Sequence, residues 1–286
     1  MKKKILAAAV LAAMTLSTAS VFASPAFSGD SKIEFINKDS GSDLSSRFRL
    51  NVDASIDENL NVHARYNTGG YSISDGAATV DASIDQAYIG AIIKDSEIRV
   101  GRQSLWLGKG MLMDGDAFNG VQVATGIDNV AITAFTGKDA NHDKTTQAEI
   151  GTSFGNVNVG ANYLKLDDTK FYGINFDTKV AENTVLNVEY VKNTTDKNDG
   201  YIAELKVGEA VKKGDFDYAV SYRNIEDGAV TGYSTDSQFN DSKGFRVAAN
   251  YKVSDNSTLN IKQDIAENNA GSSDKKFTDI TFSVNF

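Results

Sequence analysis

The chain contains no cysteine and one proline, Pro25, among 286 residues. Without cysteine there is no disulfide framework, no thiolate metal site and no thiol nucleophile. Proline cannot donate to a strand ladder, so beyond Pro25 no residue of that kind interrupts hydrogen-bonded sheet. After the first 23 residues no stretch approaches 18 consecutive apolar residues, which excludes a helical membrane span. A chain of this kind can enter a membrane only as a closed barrel, which leaves no backbone edge unpaired. A basic surplus is also missing: the formal charge is −9, and nucleic acid is not expected as a partner, because phosphates call for Lys and Arg in excess. The only histidines are His63 and His142, with no serine-nucleophile motif expected beside either. Neither an enzyme nor a cofactor is expected.

What is present begins with an export leader. Lys2, Lys3 and Lys4 precede an apolar run from Ile5 to about Met14, and small residues lead to Val21-Phe22-Ala23, which points to cleavage after Ala23. The run is too short to span about 30 Å of hydrocarbon. Residues 1–23 therefore read as a signal peptide and 24–286 as one unit, whose charge falls to −12 once the three leader lysines are gone.

Along that unit apolar and polar residues alternate with the period of a two-faced strand. The C-terminal segment is the plainest: Thr278, Ile280, Phe282, Val284 and Phe286 share one face, and Asp279, Thr281, Ser283 and Asn285 the other. Sixteen such segments are expected, at 27–37, 44–57, 59–69, 78–93, 97–107, 119–127, 129–138, 145–155, 156–167, 170–181, 184–193, 199–209, 214–224, 243–253, 256–266 and 275–286. Even-numbered segments lead into tight turns such as Lys94-Asp95-Ser96 and Ser254-Asp255-Asn256. Odd-numbered ones lead into looser connectors, the longest from about Ile225 to Lys243, and the alternation of short and long is expected to be strict. A soluble sandwich would also alternate its faces. Aromatic residues near segment ends, the even count and the connector parity favour an all-β, closed antiparallel transmembrane β-barrel, with both termini on the short-turn, periplasmic side.

Four features carry a resemblance: the leader, the parity of strands and turns, the terminal Val284-Asn285-Phe286, and the Gly101-Arg102-Gln103 strand entering the third long connector. On them the chain resembles the Gram-negative general porins over its whole mature length. The resemblance implies the outer membrane, contact with its lipid and lipopolysaccharide, and passive passage of small hydrophilic solutes and ions. It also implies a homotrimer, and reading of Phe286 by the barrel-insertion machinery.

Alternation turns Phe48, Leu50, Val52, Ala54 and Ile56 outward, so Arg47 and Arg49 point inward. By the same rule His63 and Arg65 face inward on the third segment and Arg99 on the fifth, giving four arginines along one arc. In the general porins such a basic ladder faces acids of an inward-folded third loop. The resemblance gives that role to Asp114 and Asp116, within a connector from Leu107 to Phe118. Two other readings stay open: the arginines pair with nearby acids and fill space, or the hairpin stands above the membrane with Met111, Leu112 and Met113 continuing the ladder. Arg102 falls on the outward face, which is costly near the membrane centre unless a bulge at Gly101 or an interfacial position relieves it. Asp139-Ala140-Asn141-His142-Asp143 opens like a calcium loop. Lys144 stands where glycine is needed, however, and Ile150 fills the twelfth place with Glu149 one place early, so a solvated loop is expected. The expected function is a diffusion channel. The alternatives are a channel selective for anions such as phosphate or carboxylates, bound along the arginines, and a non-conducting structural or adhesive barrel with a plugged lumen.

Overall fold

The computed structural model describes residues 24–73 and 82–286. The expected leader, 1–23, and the start of the fourth segment, 78–81, lie outside the described residues. The strands are β1 Ala26–Lys38, β2 Gly41–Ser55, β3 Leu60–Asn67, β4 Tyr71–Ser72, β5 Ser83–Ile93, β6 Ser96–Leu107, β7 Met113–Ile127, β8 Val130–Lys138 and β9 Lys144–Phe154. They continue as β10 Val157–Leu166, β11 Thr169–Ala181, β12 Thr184–Asn193, β13 Asp199–Gly208, β14 Phe216–Ile225, β15 Ser242–Ser254, β16 Ser257–Asn268 and β17 Asp274–Asn285. All pair antiparallel with their neighbours, and β1 pairs with both β2 and β17, which closes the ring. The two-residue β4 pairs with Ser45 and Ser46 of β2, beyond the end of β3, so it extends that lane and adds no seventeenth one. The result is a barrel of sixteen lanes, wide enough to leave an aqueous channel.

The seam is sealed at the level of single residues. Phe286 and Gly29 exchange backbone hydrogen bonds of 2.9 and 3.0 Å, and the Phe286 ring stacks on Phe48 at 5.8 Å. Gly29 is needed there, since a Cβ would lie 2.6 Å from Phe286 Cζ.

The alternation sorts the side chains as expected. Ile89, Val100, Ile174, Phe245 and Ile280 are among the exposed apolar residues of the outer surface, far more than a water-facing surface carries. Outer aromatics gather a few residues from the loop-side strand ends, where Tyr163 packs on Tyr172, and Tyr222 on Tyr201 and Phe245. Phe27, Phe154 and Phe216 mark the opposite rim. Two such rims suit the two interfaces of a bilayer.

Two expectations are corrected, and one of the two ways offered to relieve Arg102 falls away. Connector lengths do not alternate strictly: on the looser side β1–β2 and β10–β11 are joined by residues 39–40 and 167–168, while on the tighter side β13–β14 needs 209–215. The third connector is not twelve residues long, because β7 starts at Met113 and pairs it with Leu107, leaving only 108–112 outside strands. No bulge falls at Gly101, which keeps its place between Tyr88 and Gly120; the irregularity lies between Gln103 and Leu105. Arg102 therefore stays on the face of Val100.

The largest apolar core lies inside the barrel, toward the loop-side rim. Leu105, Leu107, Met111, Leu112, Met113 and Phe118 of the β6–β7 hairpin are buried there. They pack with Phe135, Leu164, Phe171, Val191, Ile202 and Ile225, which point inward from β8 and from β10 to β14, and with Ala229, Val230 and Phe239 of the β14–β15 connector.

Candidate functional site

The β6–β7 hairpin crosses into the lumen because its two faces differ. Leu105, Leu107 and Met113 meet the wall core, while Trp106 and Asp114, cross-strand partners, are exposed on the other face. Irregular pairing after Gln103 and a positive φ of 70° at Ala117 mark where the hairpin leaves the wall.

Its tip is tied to the far wall. The Glu189 carboxylate of β12, 2% exposed, accepts the backbone N–H groups of Lys109 at 3.1 Å and Met111 at 3.2 Å. Lys109 Nζ donates to Asp177 of β11. Gly108, at φ +65°, is the residue this approach demands, because a Cβ there would collide with the Glu189 carboxylate and sit 2.7 Å from the Asn162 amide.

The long connector 226–241 folds in beside the hairpin. Tyr233 O accepts from Asp114 N at 2.9 Å, Thr235 N donates to Gly110 O at 3.1 Å, and Thr231 Oγ1 donates to Leu112 O at 2.7 Å. Asp236 holds its rear, accepting from Arg223 Nε at 2.7 Å and Arg246 Nη1 at 3.1 Å, while Arg246 also forms a two-pronged pair with Asp264. Tyr233 Oη donates 2.6 Å to Asp139 Oδ2, and Asp139 Oδ1 accepts from Asn141 N and Asp143 N. The calcium-like segment thus spends its first carboxylate as an anchor for this connector. Burial works against ionisation of Asp139, yet the Tyr233 hydroxyl and the two backbone donors outweigh it and hold the carboxyl below its ordinary 3.8. Burial, and then the Asp139 carboxylate, push the Tyr233 hydroxyl up.

Together these connectors pack against the lumen-facing residues of β8 and β10 to β14 near the loop-side rim, and the expected arginines lie on another arc of the wall, β1 to β6. There Arg49 Nε lies 2.6 Å and Arg47 Nη2 3.1 Å from Asp30, which both arginines share. Arg65 binds Asp85 with both prongs and reaches Asp116 of the hairpin at 2.7 Å. Asp114 makes no ion pair among the described residues, but it lies within the electrostatic reach of Arg47 and Arg49. His63 and Arg99 sit apart, toward the turn-side rim: His63 Nδ1 is 2.7 Å from Asp53 and its ring stacks on Tyr88, while Arg99 pairs with Glu97 and covers the same Tyr88 ring at 5.4 Å.

The structure therefore brings Arg47, Arg49, Arg65, Asp114 and Asp116 to one level and leaves His63 and Arg99 below it. Sequence reasoning missed Tyr88, Glu189 and the whole inward fold of 226–241. Part of the signal was there: Phe135, Leu164, Phe171, Val191, Ile202 and Ile225 are apolar residues on the lumen register of their strands, each within a few residues of the loop-side end. A Gly-x-Ser-x-Gly run does occur, Gly151 to Gly155, at the opposite end of β9 from His142. It closes β9 into a turn, and Ser153 Oγ donates to Asn158 at 2.6 Å.

A family model described as Gram-negative porin matches residues 6–286. No curated protein matches the chain by sequence. Among solved structures, a mutant form of the Rhodobacter blastica porin superposes with a TM-score of 0.68 at 10% identity, over 92% of this chain and 100% of that one. A loop L8 deletion mutant of OmpT, an outer membrane protein of Vibrio cholerae, gives 0.62 at 12% identity, over 93% and 100%. At such identities the likeness is one of fold.

Proposed function

The chain belongs to the Gram-negative porins, passive diffusion channels of the outer membrane, and from that premise we propose that solutes cross between the β6–β7 hairpin and the wall of β1 to β6. The step is physical, with no covalent chemistry: the gap sets the size limit and the fixed charges beside it set the bias. Arg47, Arg49, Arg65, Asp114 and Asp116 line the narrowest level, and His63 and Arg99 line the path below it.

The observation that carries this reading is the unequal pairing of charge. Among the described residues Arg47 and Arg49 share the single carboxylate of Asp30, and Arg47 Nε has no partner, so one positive charge is left over there. Asp114 faces it from the hairpin without an ion pair of its own among the described residues. Arg65, with Asp85 and Asp116 upon it, is more than neutralised. The transverse field thus runs from Arg47 and Arg49 to Asp114, and a permeant moves through it before water can screen it fully.

Reversal potentials in a salt gradient across planar bilayers test this. Arg47→Gln with Arg49→Gln shifts selectivity toward cations and Asp114→Asn shifts it toward anions, whereas Arg99→Gln changes little. Unchanged potentials in the first two variants would remove those residues from the path. Saturable block by phosphate, relieved in the Arg47/Arg49 variant, would instead favour the anion-selective alternative.

The chain ends share one rim, where β1 starts and β17 stops, and we place that rim in the periplasm. Lipopolysaccharide then contacts the opposite rim, and Phe286 is presented where insertion machinery reads a terminal aromatic. Family membership supports a homotrimer, and release of residues 1–23 on export leaves Ser24 first.

A further inference from the structure

Trp106 is the single tryptophan of the chain, and it is 51% exposed although its hairpin lies inside the barrel. Its ring is fixed, not free: Nε1–H donates to Gly108 O at 2.8 Å, and one ring edge rests on Gly110, where a Cβ would lie 2.9 Å from Cη2. Thr235 of the inward connector closes the same side, its Cγ2 lying 2.9 Å from that Cβ position. The core does not need the ring, since the buried apolar side chains near it, Leu105, Leu107, Met111, Leu112 and Met113, lie on the other face or at the tip.

The neighbour of Trp106 on this face is Asp114, its cross-strand partner. Directly opposed residues place their Cβ atoms about 5 Å apart, so a fixed indole and a carboxylate without an ion pair among the described residues share one small patch of the lumen. An indole face attracts cations through its quadrupole, and the gain is greatest for weakly hydrated organic cations that can also make dispersion contact with the ring. A potassium ion keeps its water and gains less. Among the described residues no second aromatic ring packs within stacking distance of Trp106, so the patch is a one-walled platform, suited to weak, fast binding during passage.

We propose that Trp106 and Asp114 form a subsite for small organic ammonium ions, the ring taking the alkylated nitrogen and the carboxylate its charge. The subsite rests on the reading that the permeation path runs along this face of the hairpin. It adds a chemical preference that fixed charge alone does not supply.

Because Trp106 is the only tryptophan, its emission reports on the subsite directly. Choline is titrated against potassium chloride at constant ionic strength, with emission read from the purified full-length barrel and single-channel current read in bilayers. The expected result is a saturable emission change with choline, absent with potassium, and a choline-dependent reduction in current. Trp106→Phe keeps most of the block, Trp106→Leu weakens it by about two- to five-fold, the worth of one exposed cation–π contact, and Asp114→Asn weakens both readouts. A wild-type emission change that is linear in choline overturns the proposal, as does a Trp106→Leu channel blocked as strongly as wild type. Normal potassium conductance without any choline effect would overturn the subsite and leave the channel reading standing; choline binding in a barrel that conducts nothing would do the reverse.

Discussion

Replacing Glu189 by alanine tests whether the hairpin is held in the lumen mainly by its polar tip or by its apolar face. Hydrogen bonds contribute about 0.5–1.5 kcal/mol each, and up to about 3 kcal/mol to a charged acceptor, so losing the bonds to Lys109 N and Met111 N removes at most about 6 kcal/mol in total, less whatever water restores. Leu107, Met111, Leu112 and Met113 are fully buried, and at about 1.5–3 kcal/mol each they supply about 6–12 kcal/mol as an upper bound. The apolar face is the larger contribution. Glu189→Ala should therefore loosen the tip without releasing the hairpin: mean single-channel conductance stays near wild type, open-channel noise rises, and trypsin begins to cut slowly after Lys109. Glu189→Gln, which keeps an acceptor oxygen, should fall between. Serine at Met111, Leu112 and Met113 together should release the hairpin, raise conductance and make Lys109 readily cleaved. A permanently wide Glu189→Ala channel, or a triple variant indistinguishable from wild type, would refute the ranking of the two contributions.

Two further outcomes follow from the same geometry. Gly108→Ala places a side chain at φ +65° against Glu189; the backbone alone costs about 1–2 kcal/mol and the collision adds to it, so this variant should show a noisier channel than Glu189→Gln despite its smaller chemical change. The Asp139 carboxyl is held below 3.8, so its contribution is fully present above that value and is lost as pH falls through the lowered folded value; the Tyr233 hydroxyl, raised above 10, contributes below 10 and loses its effect as pH climbs through the raised one. The contact between the 139–143 and 226–241 connectors should thus hold across the neutral range, wild type should become more sensitive to protease nicking of 226–241 only as pH falls below 3.8, and Tyr233→Phe, which removes one of the three donors to Asp139, should weaken that dependence.

The wall was legible in the sequence because a two-faced strand writes its environment at every second residue. All sixteen lanes and the inward arginines follow from that period, and the ends differ by a few residues. The hairpin was legible only in part. The connector from Leu107 to Phe118 was expected there, but whether Met111, Leu112 and Met113 stood above the membrane or turned inward depended on partners in other strands, from Phe135 to Ile225, that no local pattern links to them. The connector 226–241 was harder still: it is polar enough to pass for a solvated loop, and its hold on the hairpin runs through backbone atoms of Gly110, Leu112 and Asp114, which carry no trace in residue type. Local alternation reports what faces a strand, whereas an inward connector is specified by contacts across the barrel.

The seam where Gly29 meets Phe286 also sets an order of events. Its two partners lie at opposite ends of the described chain, so no early local contact can bring them together, and the entropy of closing so long a loop is recovered only when the intervening lanes are already stacked. Until then β1 and β17 each present a row of unpaired donors and acceptors, the kind of edge that recruits stray strands. Assembly is therefore committed by its last stitch: the ring stacking of Phe286 on Phe48 forms only when the two edges have found one another, and a chain shortened by that one residue would be expected to linger as an open sheet, slow to seal and prone to pair with its neighbours.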